Sequence, residues 1–558
     1  MTHSEMSDFI AESPNDAGIR FPSHEYSIPS KTQPAYADSP SPCPCPSTAK
    51  WRKSPMMEEY LLCMGIWSWA LLYSAYCFYQ TSQRLLPRYL DYSDVHRVDW
   101  LSDLEGIDLH RDHGDTEWTF WKISIVKVFT LQSLRVAVRH GVAGRWSSTF
   151  GTVNPAINRL IVLAADMACC WCLIGLPGLL YHLLLTGLFF VVGLSKRKIL
   201  VWALAFFIEL GRYFVPVEQY LIVGDGIFDR YLLGMTTYYL LLRSISFACD
   251  YSDQPLGTTV GTEEQLLEQF VLVLEYQFFL PLYFLGPHLD YNAFCLKNAP
   301  SGRAIDWRFA VRIGVSVVAA VLMVEFFSLF LYPFSARYDR EMLERMSLWS
   351  LAGCGYVLGQ FFQLKYIALF GMFGFFSILN GINWSPLPVC VAWVHRYSLM
   401  WQHFDHGLYV FLKRNLHIPL IRTRIPFTHI SISPVLSSFA CYAFVFNWHA
   451  RHNHIAIWVG TNWITLLLEK IIYSKVQDER LRALLNAPVL IASMVSNMCF
   501  LGDSTNFGWQ LLKRILLGNT LINVLGVLIF FYSASFGGAL LQQWKYPKVQ
   551  RARNIHVS

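Results

Sequence analysis

The sequence predicts an all-α polytopic membrane protein, with about ten to twelve membrane helices including re-entrant segments. Three observations carry this. The chain of 558 residues is 54% hydrophobic and only 15% charged, where soluble domains carry about 25% charge. Its mean hydropathy is +0.33. Its apolar runs are long and do not alternate, so they suit helices, which satisfy their own backbone in lipid, rather than barrel strands. A soluble enzyme, a disordered protein and a nucleic-acid module are excluded. The net charge of +6 is what basic loops beside a membrane supply, and it calls for no nucleic acid.

Residues 1–57 form the first unit. Eight of the 25 prolines fall in residues 1–50, among many serines, and such a tail cannot build a core. It lacks the basic-then-apolar start of a signal peptide. Residues 58–545 are the membrane domain, and 546–558 are a basic tail with Lys548, Arg551 and Arg553.

Within the domain, the first span falls near 60–79. The aromatic piece from Glu117 to Lys122 is too short for a span and reads as interfacial. Further apolar runs lie near 160–194, 199–214, 231–248, 270–285, 309–332, 348–379, 434–448, 455–468, 485–501 and 516–536. Gly175, Pro177, Gly178, Pro281 and Pro488 are breakers inside them. The 13 cysteines sit mostly within apolar runs, where thiols serve packing. No internal repeat is evident, which weakens a two-halved transporter.

An ionisable side chain in hydrocarbon is a functional candidate by default. Glu209 with Arg212, Glu275, Glu325, and Glu469 with Lys470 lie near span ends and read as local pairs. His182 reads as a structural histidine. The stretch from Arg396 to Tyr409 differs, being dense in polar and aromatic groups. Lys413 and Arg414 follow on an amphipathic segment, where their charges would meet lipid phosphates or an anionic substrate. Trp448-His449 then closes an aromatic-rich run. Imidazole titrates near neutrality and can take a proton from an amine or hydroxyl nucleophile, which suits acyl transfer. His449, His452 and His454 are spaced i, i+3, i+5, which does not place all three on one helical face for a metal.

At these residues the chain resembles the membrane-bound O-acyltransferases, in particular the Hedgehog acyltransferase branch. The matching segments are Met400-Trp401-Gln402-His403-Phe404-Asp405-His406-Gly407-Leu408, then Phe411-Leu412 with His417-Ile418-Pro419, then Trp448-His449 with Asn462-Trp463 and Glu469. Segments at 117–121, 170–178, 365–371 and 496–502 extend the likeness, so that it covers roughly 58–545.

The resemblance implies transfer of palmitate from palmitoyl-CoA to the N-terminal amine of a secreted Hedgehog-type protein, in the endoplasmic reticulum membrane. It makes His449 the catalytic base and Asp405 a second essential residue that organises a tunnel. Trp401 and Gln402 would lie on the acyl-CoA path, with Asn497 and Trp448 near the centre. Cys390 corresponds to a haem-iron ligand, so haem b is an implied cofactor, though not one for the chemistry. One departure is Gln402, where the family carries Arg. An amide cannot clamp a phosphate as a guanidinium does, and Arg396 or Lys413 are the candidates to compensate. Competing readings are another acceptor, such as a lipid, and a proton-coupled transporter using His449 and Asp405.

Overall fold

The computed structural model describes residues 55–92, 95–98, 109–149, 155–222, 226–253, 263–298, 305–393, 395–423, 432–449, 451–518 and 521–545. Most of the proline-rich tail and the basic C-terminal tail lie outside the described residues.

The principal helices are α1 (Pro55–Tyr92), α2 (Thr116–Thr149), α3 (Pro155–Leu194), α4 (Lys198–Phe214), α5 (Ile227–Ser252), α6 (Glu263–Gln277), α7 (Trp307–Phe330) and α8 (Leu348–Leu379). Then follow α9 (Tyr397–His403), α10 (His406–Leu412), α11 (Pro434–Trp448), α12 (Asn453–Lys475), α13 (Glu479–Leu501), α14 (Thr505–Leu517) and α15 (Leu521–Lys545). A small antiparallel hairpin, β1 (Val95–Arg97) with β2 (His110–Asp112), pairs His96 with Arg111.

Among the described residues, eight helices are long and apolar enough to cross a bilayer: α1, α3, α5, α7, α8, α12, α13 and α15. The apolar α4 and α11 are shorter, at 17 and 15 residues. Three local expectations change. The piece from Glu117 opens a helix of 34 residues rather than an isolated interfacial patch. Pro488 sits inside α13 without ending it. The apolar run at 270–285 stops being α-helical at Gln277, ahead of Pro281. Gly175 does break α3, with φ +73.

The core is α8, buried along most of its length and packed against α1 and α7. Close approach explains why α8 is glycine-rich at this contact. A Cβ on Gly353 would stand 2.0 Å from the Ser74 carbonyl oxygen of α1, so the two backbones touch only because the side chain is missing. Trp121 locks α2 to α8 by edge-on contact with Phe373 at 5.5 Å. Such pairs add about 0.5–1.5 kcal/mol beyond burial.

Several charges inside the bundle are paired, while Arg243 is held by the Gln277 and Leu282 carbonyl oxygens. Arg135 of α2 donates to both Asp166 oxygens on α3, at 2.8 and 3.0 Å, and to Asn380 just past α8. Lys365 of α8 meets Asp115 at 2.9 Å and Glu117 at 2.8 Å. Glu209 and Arg212 pair as expected, at 2.8 Å. His182 is satisfied on both ring nitrogens, by Tyr283 and Thr237. The eleven described cysteines are all free thiols, and six of them are buried. Asp166→Ala strands the Arg135 cation. It is expected to cost about 3–5 kcal/mol, read as a large drop in melting temperature of the purified protein in detergent.

Candidate functional site

His449 ends α11. Its backbone N–H closes the helix on Val445 O at 3.1 Å, and Asn453 begins the next helix, α12. The imidazole is thus fixed at a helix–helix corner. Its ring stands edge-on to Trp458 and Phe500, both at 5.3 Å, and those two rings stack on each other at 4.3 Å. Among the described residues the imidazole has no hydrogen-bond partner, and it faces a cavity.

That cavity has a volume of about 1080 Å³ and is walled mainly by apolar side chains. An apolar void of about 150 Å³ holds a benzene ring, so this one has room for a long acyl chain. Trp401, Gln402, Asp405, Trp448, His449 and Asn497 all border it. Six side chains from three separate stretches of sequence therefore converge on one space. Cys390 does not join them.

Asn497 is oriented by chemistry. Its Oδ1 accepts from the Tyr397 hydroxyl at 2.6 Å and from Trp458 Nε1 at 2.8 Å. An indole N–H can only donate, so the oxygen must face it. The Nδ2 donors are left for the cavity. Trp458 joins this amide to the histidine, because its indole also packs against the His449 ring.

Trp401 stacks on Trp458 at 5.4 Å and meets Tyr442 edge-on at 5.0 Å. Trp448 packs on Tyr238 at 5.1 Å. Gln402 lends its carbonyl to His406 Nδ1 at 3.1 Å. Asp405 caps α10, accepting from Leu408 N–H at 3.0 Å. That helix sits tight on the backbone before α7, where a Cβ on Gly407 would come within 2.5 Å of His288 O. Asp405 does not touch His449. The ring series Phe404, Phe362, Phe500 stands between them. The position suits an organising carboxylate rather than a member of a proton pair.

Several expectations about cations change. Arg414 is engaged within the fold. It bridges Asp250 at 2.5 Å and Asp290 at 3.1 Å, tying the segment after α10 to α5. Arg396 cannot stand in for the missing Arg, since it pairs with Glu469 at 3.5 Å and covers the Tyr473 ring. Lys413 does border the cavity. His452 and His454 stack on each other, and His454 pairs with Asp503 at 3.3 Å. Among the described residues no group of three or more possible ligands could hold a metal.

Glu469 is the residue whose role the sequence hides. Rather than snorkelling, it is 1% exposed. It accepts from the Tyr397 and Ser398 backbone N–H groups and from the Ser398 hydroxyl. It caps α9 from a different helix. A carboxylate near the polar end of a span carries no local signal for that.

Cys390 is exposed, with Gln360 Oε1 at 3.9 Å as a polar neighbour. A thiol on the outer surface beside an amide does not fit a buried haem.

An apolar cavity in a helical membrane bundle, with a histidine at a helix corner and an amide nearby, is a geometry suited to intramembrane acyl transfer. The MBOAT, membrane-bound O-acyltransferase, family matches residues 231–510, half of the chain, and the protein belongs to that family. The chain is 26% identical over 477 residues to the mouse protein-cysteine N-palmitoyltransferase HHAT, covering 76% of this chain and 87% of the relative. It is 27% identical over 342 residues to the fruit-fly protein-cysteine N-palmitoyltransferase Rasp, covering 56% of this chain and 64% of the relative. It is also 24% identical over 281 residues to a mouse HHAT-like protein, covering 47% and 54%.

Asn497→Ala removes the amide donors and leaves Trp458 and Tyr397 without an acceptor. If Nδ2 serves the reacting carbonyl, acyl transfer should fall about 10²–10³-fold in kcat with donor affinity little changed. Acylation kinetics with a titrated acyl-CoA separate the two.

Proposed function

We propose that this protein transfers a palmitoyl group from palmitoyl-CoA to the N-terminal cysteine amine of a secreted Hedgehog-type protein, at the endoplasmic reticulum membrane. The observation that carries the reading is the shared cavity of His449, Asn497 and a long apolar wall. The relatives' names supply the chemistry of donor and acceptor.

The acyl chain lies along the apolar wall, and its thioester carbonyl sits between Asn497 and His449. The acceptor amine attacks the carbonyl carbon. His449, neutral and without a competing hydrogen bond, takes the amine proton. The oxyanion of the tetrahedral intermediate accepts from Asn497 Nδ2. Collapse breaks the carbon–sulfur bond and expels the thiol of CoA, which takes a proton as it leaves, and the amide remains. Holding both reactants in one water-poor space supplies the proximity term. Asp405 acts through α10, keeping Leu408 in place on the cavity wall. With Gln402 in place of the family's Arg, the cations that border the cavity are Lys413 and Lys470.

His449→Ala is expected to reduce acylation of an N-terminal-cysteine peptide by about 10²–10⁴-fold, while the folded variant still binds palmitoyl-CoA. A blocked, N-acetylated peptide should not be acylated by the unaltered protein. Mass spectrometry of the peptide after incubation with mixed acyl-CoAs reads both results. Full activity of His449→Ala would contradict the role of the histidine. Acylation of the blocked peptide would point to a side-chain acceptor instead.

A further inference from the structure

The inward face of α2 carries Val128, Gln132, Arg135 and Arg139 at helical spacing. The first three are buried. Arg135 is saturated, with two bonds to Asp166 and one to Asn380. Arg139 stands one turn further on and is half-buried. The charges that act on it are those of Arg135 and Asp166. Both Asp166 oxygens already accept from Arg135, so two guanidinium groups share one carboxylate. Among the described residues Arg139 has no hydrogen-bond or ion-pair partner.

The Arg139 guanidinium lies against the turn that ends α8. Gly381 has φ +80 there, and a Cβ on it would come 3.1 Å from Arg139 Nη2. The turn is tied to α2 by His140 Nε2, at 3.0 Å from Leu379 O, and by Arg135 on Asn380. The end of α8 offers roughly half a negative charge, but none of its carbonyl groups bonds Arg139. The surroundings are basic. Arg308 and Arg312 are exposed at the start of α7, which packs on the end of α8 through Ala310, Ile313 and Ile378. Lys297 donates to Asn383 O at 3.5 Å. Asp306 is engaged as the cap of α7, on Phe309 N–H at 3.0 Å. An excess of Lys and Arg marks a cytosolic end. Most such cations sit in water and need no partner. Arg139 differs because it points into the bundle.

We propose that Arg139 receives the phosphate of an anionic lipid headgroup where the ends of α2 and α8 meet. A half-buried cation without a partner is destabilising, and a phosphate matches the guanidinium fork with two charge-assisted bonds. A lipid is favoured over a free anion by the other face of α2. Val126, Phe129 and Leu134 are exposed there, and Leu134 precedes Arg139 by about 7 Å along the axis. Alkyl chains therefore reach this level, and headgroups follow just beyond. Basic pockets between membrane helices on the cytosolic side are where anionic headgroups bind. Neither Arg139 nor Gly381 borders the central cavity, so the site goes beyond the acyl-transfer reading and stands without it.

Arg139→Gln tests this in the full-length protein, held in nanodiscs of phosphatidylcholine with or without phosphatidic acid. Thermal unfolding is followed in each. The unaltered protein should melt at a higher temperature when phosphatidic acid is present. The variant should lose most of that rise, its affinity for the lipid falling about tenfold or more. In phosphatidylcholine alone the variant should be at least as stable as the unaltered protein, because it removes a cation that has no partner. An arginine that serves only the fold would act in the opposite sense. Lower stability of the variant in phosphatidylcholine alone overturns the proposal, and so does an undiminished response to phosphatidic acid. Inorganic phosphate in place of the lipid should give no rise, and an equal rise overturns the lipid as its source. Should Arg139→Gln fail to fold, the unaltered protein is treated with phenylglyoxal in both lipids and its peptides are read by mass spectrometry. Phosphatidic acid should protect Arg139, and equal labelling in the two lipids overturns the site.

Discussion

Glu469 is the interaction on which the geometry of the site depends. A carboxylate buried in a membrane bundle is costly unless every lone pair has a partner. Here the partners are the first backbone N–H groups of α9, the Ser398 hydroxyl and Arg396. The orphan donors at a helix start need acceptors just as much, and the helix dipole favours a negative charge there. One contact therefore satisfies two demands. Its consequence reaches the chemistry, because α9 carries Tyr397 and Trp401. Tyr397 turns the Asn497 amide, and Trp401 stacks on the indole that touches His449.

The same logic recurs around the cavity. Lys365 with Asp115 and Glu117, Arg135 with Asp166, and Arg414 with Asp250 and Asp290 each join separate segments of the chain. Their charges are used up in fixing the frame. What remains facing the cavity is mostly apolar, with a small set of groups suited to chemistry. The His449 corner is aromatic, with rings against the imidazole on two sides.

The helical bundle was legible in the sequence because a bilayer imposes a simple rule: long apolar runs become helices. The run at 348–379 coincides with α8 for that reason. His449 was legible because a histidine at the end of an aromatic-rich run is rare in hydrocarbon, and because its neighbours matched a known pattern. Long-range pairing was not legible. Arg396 meets Glu469 from 73 residues away, and Arg414 meets Asp250 from 164 residues away. Nothing local distinguishes such cations from lipid anchors. The length of α2 was hidden by its mixed composition, since its polar residues find partners only after α3 and α8 close around it. Cys390 carried a family expectation, but a lone cysteine in sequence says nothing of the surface it ends on.

The central claim is that one cavity holds the acyl chain beside His449. The direct measurement is an electron cryomicroscopy map of the protein with a non-hydrolysable palmitoyl-CoA analogue, its thioester sulfur replaced by a methylene. The account predicts continuous density for the alkyl chain within the cavity, with the carbonyl oxygen beside Asn497 Nδ2 and the carbonyl carbon open to an amine next to the His449 ring. An alkyl chain bound outside the cavity, or a carbonyl remote from both residues, would contradict it.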